Sequence, residues 1–283
     1  MRYFTKEWYE LCQKTGAHML LEETAEAEHF SEQYFKQTYD QKLNEWLSLE
    51  EEVASVPFEA VFPAQMEIVD ESLSEEELEA FREEYRLKLE EARERFNSRE
   101  PFSREKESRL FYEGFIQQLE YAGKLLPGQI LSQIADLRVF VLDKASRQVI
   151  EAVTRFCEEN RRVVETAGKA YWEYYEKALQ LLEEAEKKVF KSIHFHDCTV
   201  KEVKQTGKSF SIVFDNSGGF TGIKEMTLEN YTLINQEGLL EEAWWLYEEV
   251  YRWEQQYEIH TLLQSKDLKL IELTVRAEHI SFK

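Results

Sequence analysis

Lys187-Lys188-Val189-Phe190-Lys191-Ser192-Ile193-His194-Phe195-His196-Asp197-Cys198-Thr199-Val200-Lys201-Glu202-Val203 is the stretch where the chain changes its pattern. Before it, apolar residues recur every three or four positions, the period of a helix. After it they alternate, and Gly and Asn appear between the runs, as in strands joined by turns. Upstream, from about Ser146 to Phe190, Val149, Val153, Phe156, Asn160, Val163, Ala167, Ala170 and Tyr174 keep a four-three step. Ala178, Leu181, Ala185 and Val189 follow after a shift of phase. A four-three step makes a coiled-coil-like seam, which can also join copies of the chain, so an oligomer through residues 146–190 is one expectation. Unbroken, this helix would span roughly 65 Å. That length predicts a kink or a protruding arm, and the phase shift near Gly168 to Tyr171 predicts a bend or a change of packing partner there.

Downstream, strands are expected at about His196 to Val203, Ser209 to Phe214, Ile223 to Ile234, Trp244 to Trp253, Tyr257 to Leu263 and Leu270 to Ala277. Phe210, Ile212 and Phe214 share one face. Turns fall at Gln205-Thr206-Gly207, Asp215 to Gly219, Glu254-Gln255-Gln256 and Ser265-Lys266-Asp267. Turns this short imply hairpins and an antiparallel meander of about six strands, strongly curved.

Toward the N-terminus, Thr5 can cap a short helix running to about Lys14, with Phe4, Trp8, Leu11 and Cys12 on one face. A second helix is expected from about Glu22 to Ala54, on the spacing of Phe30, Tyr34, Phe35, Tyr39, Leu43, Trp46 and Leu47. It stops at Val56-Pro57, because the residue before proline resists the α region. Residues 56–70, with Pro57 and Pro63, read as an extended connector. Ser72 or Ser74 opens a third helix through a capping box with Glu75 or Glu77, and Asn97 to Pro101 stops it. Ser103 opens a fourth, with Phe111, Phe115, Leu119 and Ala122 inward, and Gly123 and the Pro127-Gly128 pair mark the next break. Pro127 starts a fifth that buries Ile130, Ile134, Leu137 and Val141. The fold class is α+β: a mostly helical region over 1–190, with a long helix leading into an antiparallel β domain over 191–283.

The chain has 283 residues, 43% hydrophobic, so a real core is expected. Its 56 Asp and Glu against 35 Lys and Arg give a net charge of −21. Such a surface repels nucleic acid and anionic membranes and attracts a basic partner, although net charge first of all serves solubility. Cys12, Cys157 and Cys198 are odd in number and scattered. They predict reduced thiols rather than a disulfide framework or a zinc site. No apolar run reaches the roughly 20 residues of a membrane helix, and the opening residues lack a signal-peptide core. A cytoplasmic protein is expected.

Chemistry-bearing residues gather in the β portion. His194 and His196, two apart, would share one side of a strand and could share a metal, next to Asp197. Ordinary hydrogen bonding at a strand start is the favoured reading, because structural polar residues at strand ends greatly outnumber ligands. In Trp244-Trp245-Leu246-Tyr247-Glu248-Glu249-Val250-Tyr251-Arg252-Trp253, the consecutive Glu248 and Glu249 must face opposite sides. One therefore lies on the more buried side and needs a partner: Arg252, Arg276, a histidine or a metal. Glu258 and His260 are the expected cross-strand neighbours. His194, His196, Asp197, Glu248, Glu249, Glu258 and His260 form the candidate polar cluster. Trp244, Trp245, Tyr247, Tyr251 and Trp253 cannot all be core unless both faces are covered, so some are candidate interaction aromatics. Glu26-x-x-His29 has the spacing of an iron-ligating helix motif, but only one copy occurs. No Walker loop, G-x-G-x-x-G, H-E-x-x-H or G-x-S-x-G is present. No cofactor and no resident metal is expected.

Several stretches resemble an uncharacterised bacterial family carried as a domain of unknown function. They are the opening Met1-Arg2-Tyr3-Phe4-Thr5-Lys6-Glu7-Trp8-Tyr9 and the segment from Leu126-Pro127 to Ala135-Asp136-Leu137-Arg138. His196-Asp197-Cys198, Trp245 to Tyr251, Tyr257-Glu258-Ile259-His260 and Glu272-Leu273-Thr274-Val275 complete them. The resemblance implies a bacterial cytoplasmic protein of helices followed by strands, and it assigns no catalytic residue. The leading functional expectation is a non-enzymatic interaction module for an unidentified, basic protein partner, in one version immunity-like against a toxin or nuclease. The alternative is a metal-dependent hydrolase in which the histidine and carboxylate cluster activates water.

Overall fold

The computed structural model describes residues 1–62 and 74–283. Helices come first and antiparallel strands follow, the α+β order that the pattern switch predicts. The helices are α1 (Lys6–Cys12), α2 (Glu32–Ser55), α3 (Phe58–Val61), α4 (Glu75–Asn97), α5 (Arg104–Leu125), α6 (Gly128–Leu131), α7 (Leu137–Phe140), α8 (Arg147–Leu181) and α9 (Glu184–Ser192). Short polar side chains open several of them. Thr5, Ser31 and Ser103 accept from the backbone N–H of Trp8, Tyr34 and Lys106, and Asp136 accepts from that of Arg138. Ser72 and the connector from Pro63 onward lie outside the described residues.

Several boundaries differ from the sequence reading. The second helix begins at Glu32, not near Glu22, because Ser31 is its cap. Glu22–Glu23 (β1) instead pairs in parallel with Lys144–Ala145 (β2), and Ala25–Glu28 is a 3₁₀ turn. Glu26 and His29 thus never share an α-helix, and the iron-type spacing has no helical face to act on. The break marked by Gly123 and Pro127-Gly128 falls at the second of these signals: α5 runs through Gly123 to Leu125 before Pro127 stops it. The expected fifth helix is two single turns, because the Asp136 cap starts α7 afresh. The long helix is interrupted at Leu182-Glu183, not at Gly168–Tyr171. There Glu183 and Glu186 form a reciprocal capping box that begins α9. The four-three seam also drifts: Val153 and Cys157 are fully buried and Tyr171 nearly so, whereas Val163 is exposed.

The larger sheet contains β3 (Thr199–Thr206), β4 (Ser209–Asp215), β5 (Glu225–Glu229), β6 (Thr232–Gln236), β7 (Trp244–Trp253), β8 (Gln256–Gln264), β9 (Leu270–Ala277) and β10 (His279–Phe282). Its spatial order is β10-β5-β4-β3-β7-β8-β9-β6, antiparallel throughout. It is therefore two three-stranded meanders, β3–β5 and β7–β9, rather than one meander of six. The expected third strand splits at Asn230, whose φ of 50° turns the chain away. β5 then joins β4 while β6 crosses to β9. Gly207, at φ 59°, makes the two-residue β3–β4 turn that a Cβ would strain. Phe190, Phe195, Phe210, Ile212, Met226, Leu228, Trp245 and Ile259 are fully or almost fully buried in a core enclosed by both meanders.

By its contacts the chain forms two compact units: residues 1–19 with 154–283, and residues 20–153. The 1–190 and 191–283 division follows hydrophobic period, whereas these units follow contact, a different property. In the second unit, Phe35 stacks on Phe115 and Tyr39 meets Phe111 and Phe115 edge-on, which ties α2 to α5. Arg138 lies over Phe35 and pairs with Glu32 and Asp136. The polar cluster expected from the sequence lies wholly in the first unit.

Candidate binding cleft

The site begins with a gap in the sheet. β3 and β7 pair only at Thr199 and Trp244, so the edge of β7 from Leu246 onward has no strand beside it. An open edge exposes backbone donors and acceptors. α8 covers this one with tyrosines: the Tyr171 hydroxyl accepts from the Val250 N–H at 3.0 Å, and the Tyr174 ring packs against that of Tyr251, 5.0 Å between centroids. Burial pushes the hydroxyls of Tyr171 and Tyr174 above the ordinary tyrosine range, so both remain protonated. By the two-residue alternation of an antiparallel strand, the Glu248 N–H points from the same edge.

A bulge at Leu246 shifts the β7–β8 register between Trp245 and Tyr247. Bulges re-aim side chains. Here Trp245 turns into the core on the side of Glu248, and its indole N–H donates to Glu248 Oε2 at 2.7 Å. The other oxygen of Glu248 receives His194 Nδ1 at 3.2 Å. This hydrogen bond raises the His194 pKa above the ordinary imidazole value, against a smaller opposing effect of burial. His196 bonds the Leu246 carbonyl through Nδ1, and its Nε2 lies 3.6 Å from Asp197. Asp197 itself is held at φ 66° and donates its N–H to the Trp245 carbonyl.

Glu249 faces the opposite side, as consecutive strand residues must, and is fully buried. Its partner is none of those the sequence suggested. The backbone N–H groups of Arg2, Tyr3 and Phe4 donate to it at 2.8, 2.7 and 2.6 Å, and the Tyr251 hydroxyl donates at 2.6 Å. One carboxylate thus anchors the N-terminal segment that leads into α1. Glu258 forms a third set: His260 at 2.7 Å, Arg276 in a closer contact, and Arg2 at 3.8 Å. Burial acts to raise the Glu258 pKa, but the hydrogen bonds and charges of His260 and Arg276 outweigh it and hold it below the usual value.

The seven predicted polar residues therefore occupy separate settings. His194 pairs with Glu248, with His196 and Asp197 close by. Glu249 is consumed by backbone amides, and Glu258 with His260 belongs to an arginine-paired cluster. Among the described residues, no group of three or more His, Cys, Asp or Glu side chains is arranged to hold a metal ion. Of the five aromatics, Trp245 and Tyr251 are buried and Tyr247 half-buried, because both faces of β7 are covered in its middle; Trp244 and Trp253, at its ends, are exposed. The three cysteines are free thiols. Burial raises all three pKa values, that of Cys12 to about 11, so none is a ready nucleophile. Among the described residues, no helix is long and apolar enough to cross a membrane.

Beside the open edge of β7 lies a cleft of about 610 Å³. Phe4 and Trp8 of the N-terminal segment, Tyr171, Trp172 and Tyr175 of α8, and Tyr247 of β7 line it, with Glu248, His194, His196, Lys191 and Glu165 as its polar groups. Trp172 meets Tyr175 at 82° and Trp8 meets Tyr247 at 87°, so two pairs of perpendicular rings stand in its walls. Trp172 remains 55% exposed. Sequence reasoning did not place Trp8, Tyr171, Trp172, Tyr175 or Gly168 at a site. The available signal was the density of rings in Tyr171-Trp172-Glu173-Tyr174-Tyr175, more than one buried helix stripe can absorb.

No curated protein and no solved structure gave a significant match to the chain. Residues 115–275, over half of the chain and including α8 and strands β3 to β8, match the family model described as Protein of unknown function (DUF4085). That agrees with the resemblance drawn from the sequence, and the chain belongs to this family.

Proposed function

We propose that this protein is a non-enzymatic binding module that receives a projecting group of a protein partner in the cleft between α8 and the open edge of β7. The carrying observation is the cleft itself. A volume of about 610 Å³ suits a side chain or a short peptide segment, and apolar rings with a few convergent polar groups are the usual lining of a binding site. A half-exposed tryptophan in its wall is the residue type that contributes most at protein contacts. The net charge of −21 favours a basic partner, and the cytoplasm is the compartment we assign to it. The hydrolase alternative needs the histidines and carboxylates around one centre, and their separate hydrogen-bond partners favour binding over that reading.

Gly168 supplies the test. It lines the cleft, and a Cβ built there meets nothing within 4 Å, so a larger residue would enter the empty space without disturbing the core. Ligand-observed NMR of a peptide library should find binders of the wild type that Gly168→Leu loses while its melting temperature is kept. A library with no binder, or binders indifferent to Gly168→Leu, would overturn the reading.

A further inference from the structure

We propose, resting on the binding reading above, that the cleft receives the ammonium group of a lysine side chain from a basic protein partner, with Glu248 as its counter-ion and Trp172 and Tyr175 as the rings that flank it.

Three observations lead there. First, Glu248 is a carboxylate at the wall of an aromatic cleft, with its side chain only 11% exposed. A cation placed among ring faces next to a shielded carboxylate gains both cation–π and Coulomb attraction. Second, a cation-type group already sits on it. His194 donates to Glu248 Oε1 from a side chain that is 58% exposed, so the imidazole can turn into water without leaving a buried orphan. Third, α8 carries a glycine where packing does not ask for one. Glycine in mid-helix is unfavourable relative to alanine. At Gly168 the missing side chain leaves open space on the cleft wall, one turn from Trp172. A slender alkyl chain fits such a notch.

Lysine is favoured over arginine by the geometry of the acceptor. Glu248 Oε2 is held by the Trp245 indole and Oε1 faces His194, so the two oxygens are not both free for a guanidinium fork. An ammonium is a compact point charge that needs one oxygen. The other charged or titratable groups lining the cleft are Lys191, His196 and Glu165. Lys191 and the histidines set a limit on how many cations can enter together, which argues for one lysine rather than a basic cluster. The partner is a protein because the whole surface, not only the cleft, is strongly acidic and steers basic macromolecules.

The experiment compares nine-residue peptides that differ only at the central residue, lysine, norleucine or arginine, together with butylammonium chloride. Tryptophan indole N–H shifts of the full-length protein report binding, with the Trp172 signal assigned through Trp172→Phe. The lysine peptide should bind about tenfold more tightly than the norleucine peptide, and Glu248→Gln should erase that difference. Glutamine keeps an oxygen for Trp245, so the fold is retained. Gly168→Leu should abolish binding of every peptide. Equal affinity of lysine and norleucine would overturn the ammonium proposal and leave the binding reading intact. Indifference to Gly168→Leu would overturn both. A tighter arginine peptide would refute the acceptor argument, and butylammonium binding as tightly as the peptide would replace the protein partner with a free amine.

Discussion

Glu249 shows how a single residue can hold two distant parts of a chain together. Its carboxylate is fully buried and accepts from three backbone N–H groups and one hydroxyl. Hydrogen bonds to a charged group contribute more than neutral ones, and the groups left behind when the charge is removed bear a desolvation penalty. Glu249→Gln puts an amide donor against those donors. It should lower the unfolding free energy by about 2–4 kcal/mol in urea titrations; an unchanged midpoint would refute the anchor. That one of two consecutive glutamates is buried was legible from strand alternation. Its partner was not, because the phenylalanine amide that binds it lies 245 residues away and a backbone N–H has no sequence signature. His194 gives a second residue-level outcome. Glu248 raises its pKa above 6.5, so the pair contributes fully at pH below the unfolded value and fades as pH climbs through the raised one. NMR titration should place the His194 midpoint above 6.5, and Glu248→Gln should bring it back.

At the scale of elements, α8 and β7 explain why the cleft exists. A strand edge without a neighbour must be covered, and α8 does this at Val250 through the Tyr171 hydroxyl, with Tyr174 packed on Tyr251 beyond it. Toward Leu246 the cover gives way to the cleft. Gly168 lies at that transition, where glycine and a phase shift coincide and the sequence predicts either a bend or a change of packing partner. The helix passes through it. The interruption falls at Leu182-Glu183, where a capping box built from two glutamates lacks the serine or threonine that usually announces one. Strands β4, β7 and β9 were legible almost residue for residue, since each alternates cleanly or is bounded by a tight turn. β6 and β10 were not: both are short edge strands, and β6 is exposed along its whole length. If Gly168 is kept for space and not for packing, Gly168→Ala should stabilise the protein by about 0.5–1 kcal/mol. A lower melting temperature would mean that the backbone there needs glycine after all.

On the scale of the whole molecule, the charge of −21 acts on folding and on association with opposite signs. Like charges spread over the surface repel one another, and that repulsion weakens the compact state. Many of the carboxylates have cationic partners, as in Arg86 with Glu83 and Glu90 or Lys187 with Glu184, but these pairs are exposed and add little stability each. The excess of 56 acidic over 35 basic residues leaves the repulsion uncompensated. Salt shortens the screening distance from about 30 Å at 0.01 M to about 10 Å at 0.1 M. Raising sodium chloride through that range should therefore raise the melting temperature. The same screening removes the long-range attraction that brings a basic partner to the surface, so the association rate of the lysine peptide should fall by about tenfold while its dissociation rate changes little. Stopped-flow fluorescence of Trp172 separates the two rates. A loss of affinity carried by faster dissociation would place the charge effect inside the cleft, at Glu248, and not on the surface at large.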